Sequence, residues 1–233
     1  MRIPREAWKI AAVTAAPLLL WSLVLTPTSR GSDRLRRAAA CSGFRADEPS
    51  LPEPWSHQDI GEVEVKGDAR YKEGTFTITG TLDIWGKADG FHFVYQTLDG
   101  DGQILLRVTA VENTNQHAKA GVMIRESLDA GARHATMVVT PVDGTQFLRR
   151  KVAGEVTTNT NPGRDRGKLP YWVKLVREGN KFSAYESSDG KDWVPVGTDT
   201  VMIGERAYIG LVASSHQKMI TNTSTLDQVA VVP

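Results

Sequence analysis

A single cysteine, Cys41, in 233 residues excludes an intramolecular disulfide and any zinc site built on paired cysteines. Excess charge of one sign is missing too. Lysine and arginine number 28 against 27 aspartates and glutamates, and the signs interleave through the body of the chain, so no field favours a nucleic-acid partner. The five histidines lie among many serines without a Gly-x-Ser-x-Gly elbow, and no two have the spacing of a metal-binding strand pair. The nearest approach to a nucleophile is Ser214-Ser215-His216, which reads as the start of a loop. No catalytic residue is assigned. What is present is 40% hydrophobic and 24% charged residues, an ordinary composition for a soluble chain able to bury a core.

Residues 1–30 carry Arg2, Arg5 and Lys9 ahead of an apolar run over residues 10–25, the order of an export signal. As a helix this run spans roughly 24 Å, short of a ~30 Å hydrocarbon layer, and Pro17 kinks it. A signal peptide or signal anchor is therefore expected, with a secreted or envelope location and membrane contact only through this segment. Arg30, Arg34, Arg36 and Arg37 follow the run and resist translocation, so topology stays open, as does a misassigned start. Residues 31–54 read as a flexible linker, rich in Arg, Ala, Ser and Pro. Ala38-Ala39-Ala40-Cys41 is similar to a lipoprotein cleavage box, but Arg36 and Arg37 stand where apolar residues belong, and Cys41 reads as a linker cysteine.

Over residues 55–233 the dominant pattern is alternation with period two. Phe76 and Ile78 alternate with threonines; Phe91, Phe93 and Tyr95 alternate with His92, Val94 and Gln96; Ala120, Val122 and Ile124 alternate with Lys119, Met123 and Arg125. Further strands are legible near residues 104–111, 134–140, 146–151, 171–176, 181–187, 208–213 and 226–232. Asp99-Gly100, Asp101-Gly102, Asp143-Gly144, Gly179-Asn180 and Asp189-Gly190 supply turns between them. About a dozen strands in about 180 residues, without helical crossovers, predict an all-β, two-sheet antiparallel jelly-roll sandwich.

Five segments carry a resemblance: Leu82-Asp83-Ile84-Trp85-Gly86, Phe91-His92-Phe93-Val94-Tyr95-Gln96, residues 119–127 (KAGVMIRES), residues 171–177 (YWVKLVR) and residues 185–190 (YESSDG). In this order they resemble the "regulation of enolase protein" type domain of the concanavalin A-like lectin/glucanase superfamily. That resemblance implies a jelly roll over nearly all of residues 55–233, common in exported bacterial proteins and often attached to carbohydrate-active enzymes. Gly90 departs from the acidic residue expected after Asp89.

Hydrolysis of a glycosidic bond needs two carboxyl groups flanking it, about 5 to 5.5 Å apart for retention. The Glu-x-Asp-x-x-Glu run of the superfamily's glucanases is lacking, and Glu62 and Glu64, read as one strand face, form a solvated edge beside Lys66. No cofactor is required by any motif. Calcium is the one candidate, with Asp83, Asp89 and Asp227 as possible oxygen ligands where loops meet chain ends, against a reading as turn caps. Ser187-x-Asp189-Gly190-x-x-Trp193 is similar to the Asp-box hairpin of sialidases, one residue short, and reads as a stable turn over Trp193.

Parity supplies the binding expectation. If Val122, Ile124, Val173 and Leu175 face the core, then Arg125, Trp172 and Lys174 face away, as do His134 and Tyr185, with Arg149 as an ambiguous sixth member. Rings beside hydrogen-bond donors suit the apolar faces and hydroxyl edges of sugars. The expectation is a non-catalytic module that recognises carbohydrate on a concave sheet. Its rivals are an atypical glycoside-processing enzyme and a protein-docking scaffold.

Overall fold

The computed structural model describes residues 50–164 and 168–233. The expected signal segment, Cys41 and nearly all of the linker lie outside the described residues. Fourteen strands follow: β1 (Ser56–Ile60), β2 (Asp68–Lys72), β3 (Thr75–Gly80), β4 (Phe91–Asp99), β5 (Gly102–Val111), β6 (Lys119–Arg125) and β7 (His134–Thr140). The chain continues through β8 (Gly144–Arg150), β9 (Thr158–Thr160), β10 (Tyr171–Glu178), β11 (Lys181–Ser187), β12 (Val194–Thr200), β13 (Arg206–Ser214) and β14 (Asn222–Val232). The expected all-β sandwich is what forms: two antiparallel sheets of seven strands, and no helix among the described residues. Sheet A runs β1-β4-β13-β6-β7-β8-β9 and sheet B runs β12-β11-β10-β5-β14-β3-β2.

One face of each sheet closes the main core. Sheet A contributes Val94, Val122, Ile124, Met137, Phe147, Ile209 and Leu211, and sheet B contributes Phe76, Ile78, Leu106, Val173, Leu175, Phe182 and Leu226, all buried. Burying each such side chain stabilises the fold by about 1.5–3 kcal/mol.

The opposite face of sheet A is buried as well. Ile60, Phe91, Phe93, Met123, Val138, Leu148 and Val212 form a second apolar cluster with Ile84 from the β3–β4 loop. All seven residues of β6 and all seven of β7 are consequently buried. Period two marks which residues share a face, but loops laid across the sheet decide whether that face meets water.

Two expectations about turns are resolved by packing. Gly90 stands against Leu82, whose Cδ1 would lie 2.4 Å from any added Cβ, so an acidic side chain there would collide with it. Glu62 and Glu64 are exposed but belong to the loop after β1, not to a strand, so they share no strand face.

Candidate functional site

The outer face of sheet A carries a cavity of about 480 Å³. Its floor is Lys119 of β6, Gln146 of β8 and Asn159 of β9; Asp83 and Trp85 of the β3–β4 loop, His117 before β6 and His216 after β13 complete the lining. Trp85 is 43% exposed and also lines a neighbouring hollow of about 590 Å³ with Glu62, Ala88 and Ala130.

Asp83 organises this cavity. Its Oδ1 accepts from Lys119 Nζ at 2.5 Å and from the backbone N–H of Ile84 at 2.8 Å, while Oδ2 lies 2.8 Å from His216 Nδ1. Lys119 also donates to the carbonyl of His117 at 2.9 Å. The backbone is strained at this point. Leu82 and His216 are both non-glycine residues with positive φ, 55° and 57°, a conformation costing about 1–3 kcal/mol each. They hold one another: the His216 N–H donates to the Leu82 carbonyl at 2.6 Å, and the Leu82 N–H donates to the Gln217 carbonyl at 2.8 Å. That lock places Asp83 beside His216, 133 positions away in sequence.

The six residues expected to share a surface are divided by the structure. Arg125 and His134 face away from the main core as parity requires, but beneath loops rather than in water. Register sets Arg125 opposite His134 and His134 opposite Arg150, a row across β6, β7 and β8. All three are 0% exposed. Arg150 makes a bidentate pair with Asp89, 2.6 and 2.8 Å, and also donates to the carbonyls of Gly86, Ala130, Ala132 and Glu155. Arg125 lies 3.6 Å from Asp89 and over the Phe91 and Phe93 rings. Burial brings its pKa down to about 10, against the pull of Asp89. Burial also pushes the Asp89 carboxyl up, opposed by the two guanidiniums. His134 bonds Thr136 Oγ1 at 2.9 Å, and burial, then the charges of Arg125 and Arg150, hold it well below the ordinary imidazole range.

Trp172, Lys174 and Tyr185 lie on the outer face of sheet B, on the other side of the sandwich, where all three are partly exposed. Lys174 Nζ stands 4.8 Å from the Tyr185 ring centre and 4.2 Å from that of Trp193, and partial burial lowers its pKa. Arg149 joins neither group. It shares the inward parity of Phe147, lies 4.9 Å from that ring, and bonds Asp199 of β12 at 3.0 Å, bridging the sheets at their edge.

The calcium expectation is corrected for the same reason of placement. Asp227 pairs with Arg107 across sheet B at 2.6 and 2.8 Å, Asp89 is consumed by Arg150, and Asp83 by Lys119 and His216. The three never converge, and no group of three or more His, Cys, Asp or Glu able to hold a metal occurs among the described residues. Within the cavity, Trp85, His117, Lys119, Gln146 and Asn159 were not singled out by sequence as site residues. Trp85 and Lys119 lie in segments of the family resemblance, but His117, Gln146 and Asn159 carry no local signal, since sheet pairing and loop closure bring them together.

No family model matches the chain, and no curated protein matches it in sequence. Solved structures do match. A functionally unknown protein from Saccharomyces cerevisiae superposes with a TM-score of 0.58 at 15% identity, covering 76% of this chain and 95% of that one. A prokaryotic β-1,3-1,4-glucanase (lichenase) from a mouse hindgut metagenome gives 0.52 at 10% identity, covering 79% and 96%. The shared fold is a two-sheet antiparallel jelly-roll sandwich. A xylan β-1,4-xylosidase from Bacillus halodurans C-125 gives 0.55 at 14% identity, with 78% of this chain matched to 37% of that enzyme. At these identities the likeness is one of fold, and fold alone does not carry function.

Proposed function

We propose that this chain is an exported, non-catalytic carbohydrate-recognition module whose ligand seat is the cavity around Trp85 on sheet A. The observation that carries the reading is Trp85 itself: a large exposed ring at the mouth of a cavity whose other walls are hydrogen-bonding groups. A sugar ring offers an apolar face for stacking and a rim of hydroxyls, and Lys119, Gln146, Asn159 and the Asp83–His216 pair supply partners for that rim. Two of the matched folds are named as glycan-acting enzymes, the lichenase and the xylosidase. The finer kinship with the "regulation of enolase protein" type, and export through residues 1–30, belong to the same proposal and rest on the segments and charges given above.

The test is titration of the full chain with a glycan panel that includes β-glucans, xylans and fructans. Saturable binding that Trp85→Ala weakens at least tenfold, with Trp172→Ala unchanged, is the expected result. Absence of binding at millimolar sugar rejects recognition. If instead Trp172→Ala abolishes binding and Trp85→Ala does not, the seat is the sheet B face, where Lys174 between Tyr185 and Trp193 favours a second reading.

A further inference from the structure

Two histidine pairs occur among the described residues, and they differ in which ring nitrogens face carboxylates. His57 Nδ1 and His92 Nε2 lie 2.9 Å apart, and His92 Nδ1 is 2.8 Å from Asp59. Both ring nitrogens of His92 are therefore engaged. His117 and His216 have ring centres 5.2 Å apart with planes at 65°. Here each Nδ1 faces a carboxylate, Asp143 at 3.0 Å and Asp83 at 2.8 Å.

An ionised carboxylate only accepts hydrogen bonds, so each Nδ1 carries the proton and each neutral ring keeps its lone pair on Nε2. The exposed Gln116 side-chain nitrogen lies 3.0 Å from His117 Nε2, a donor on that lone pair that an arriving metal ion has to displace. His216 Nε2 has no hydrogen-bond partner among the described residues. Imidazoles fixed in this tautomer by carboxylates on the far nitrogen are the arrangement used for transition-metal ligation. The spacing fits as well. Two imidazoles bound through Nε2 at about 2.0–2.1 Å in a tetrahedral sphere hold their ring centres roughly 5.2 Å apart. Charge agrees, since Asp83 and Asp143 outweigh the single ammonium of Lys119.

We propose that His117 and His216 bind one divalent transition-metal ion through their Nε2 atoms, with Asp143 and Asp83 orienting the rings. The remaining coordination positions open into the cavity, to water or to a hydroxyl-bearing ligand. Nitrogen donors select Cu²⁺ and Zn²⁺ over Ca²⁺ and Mg²⁺. The site does not depend on glycan binding.

The experiment titrates CuSO₄, ZnCl₂ and CaCl₂ into the full chain without sugar, in a Cys41→Ser background that removes the only thiol, and records the electron paramagnetic resonance spectrum of the Cu²⁺ form. One equivalent of Cu²⁺ binds, more tightly than Zn²⁺, with nitrogen hyperfine structure, and Ca²⁺ does not bind. His117→Gln and His216→Gln each weaken Zn²⁺ binding at least tenfold, Asp83→Asn weakens it about tenfold, and His57→Gln leaves it unchanged. Should His216→Gln fail to fold, His117→Gln and Asp83→Asn give the same answer. No saturable binding below millimolar metal, wild-type affinity in His117→Gln, or equal loss in His57→Gln would overturn the proposal.

Discussion

Removing Asp89 tests the electrostatics of the covered face of sheet A. Its carboxylate and the side chains of Arg125, Arg150 and His134 are all 0% exposed. Asp89→Ala therefore strands two guanidiniums away from water, with backbone carbonyls, Thr157 Oγ1 and Met123 Sδ as their remaining hydrogen-bond partners. Breaking a buried ion pair by deleting one partner costs about 3–5 kcal/mol. For a domain of this size that is a fall in Tm of roughly 6 to 20 °C. The matched control is Asp227→Ala, which breaks an equally well-formed bidentate pair with Arg107 at the surface, where the side chains are 17% and 35% exposed. Solvent screens that pair, and the control costs about 1 kcal/mol or less. Urea denaturation with both variants at pH 7 makes the measurement. A loss below 1 kcal/mol in Asp89→Ala, or equal losses in the two variants, would refute the claim that burial, not pair geometry, sets the difference.

His134 supplies a pH dependence. Its folded-state pKa is depressed, so acid favours the unfolded chain. Stability is unaffected above the unfolded value of about 6.5 and falls below it by about 1.4 kcal/mol per pH unit, until the folded value is reached. Depressed by burial, His92 adds to the loss in the same direction. Denaturation between pH 7 and pH 5 should show this slope, reduced in His134→Gln; an unchanged slope would contradict it. Gly190 has φ +75° and lies under the Trp172 ring, whose nearest atom would be 2.7 Å from an added Cβ. Gly190→Ala should cost about 1–2 kcal/mol and displace Trp172, seen as altered tryptophan fluorescence. Phe147→Ala, in the main core, should cost about 3–5 kcal/mol by calorimetry.

The strands that alternation revealed are interior ones. Those it missed, β1, β2, β9 and β12, are the four sheet edges. Edge strands here read SHQDI, DARYK, TNT and VPVGTDT, polar sequences that pair because a neighbour offers a ladder, with charge and proline that deter further pairing. Asp189 shows the opposite case, where a local motif sufficed. Its carboxylate accepts from the N–H groups of Lys191 and Asp192 and from Ser187 Oγ, and these bonds hold its pKa down to about 2. For the candidate cavity the sequence pattern marks only Asp83 as a site residue, and as a calcium ligand. His216 reads as part of a loop, which it is, but nothing near it in sequence points to Asp83.

Side-chain parity, turn chemistry and the antiparallel class follow from the order of residues alone, because each depends on neighbours within a few positions. Exposure does not. Arg125 and Trp172 both point away from the apolar core, yet one is sealed beneath the β3–β4 and β6–β7 loops and the other meets water. Only the closure of those loops over sheet A settled that difference, and a separate closure across 133 positions brought His216 against Asp83.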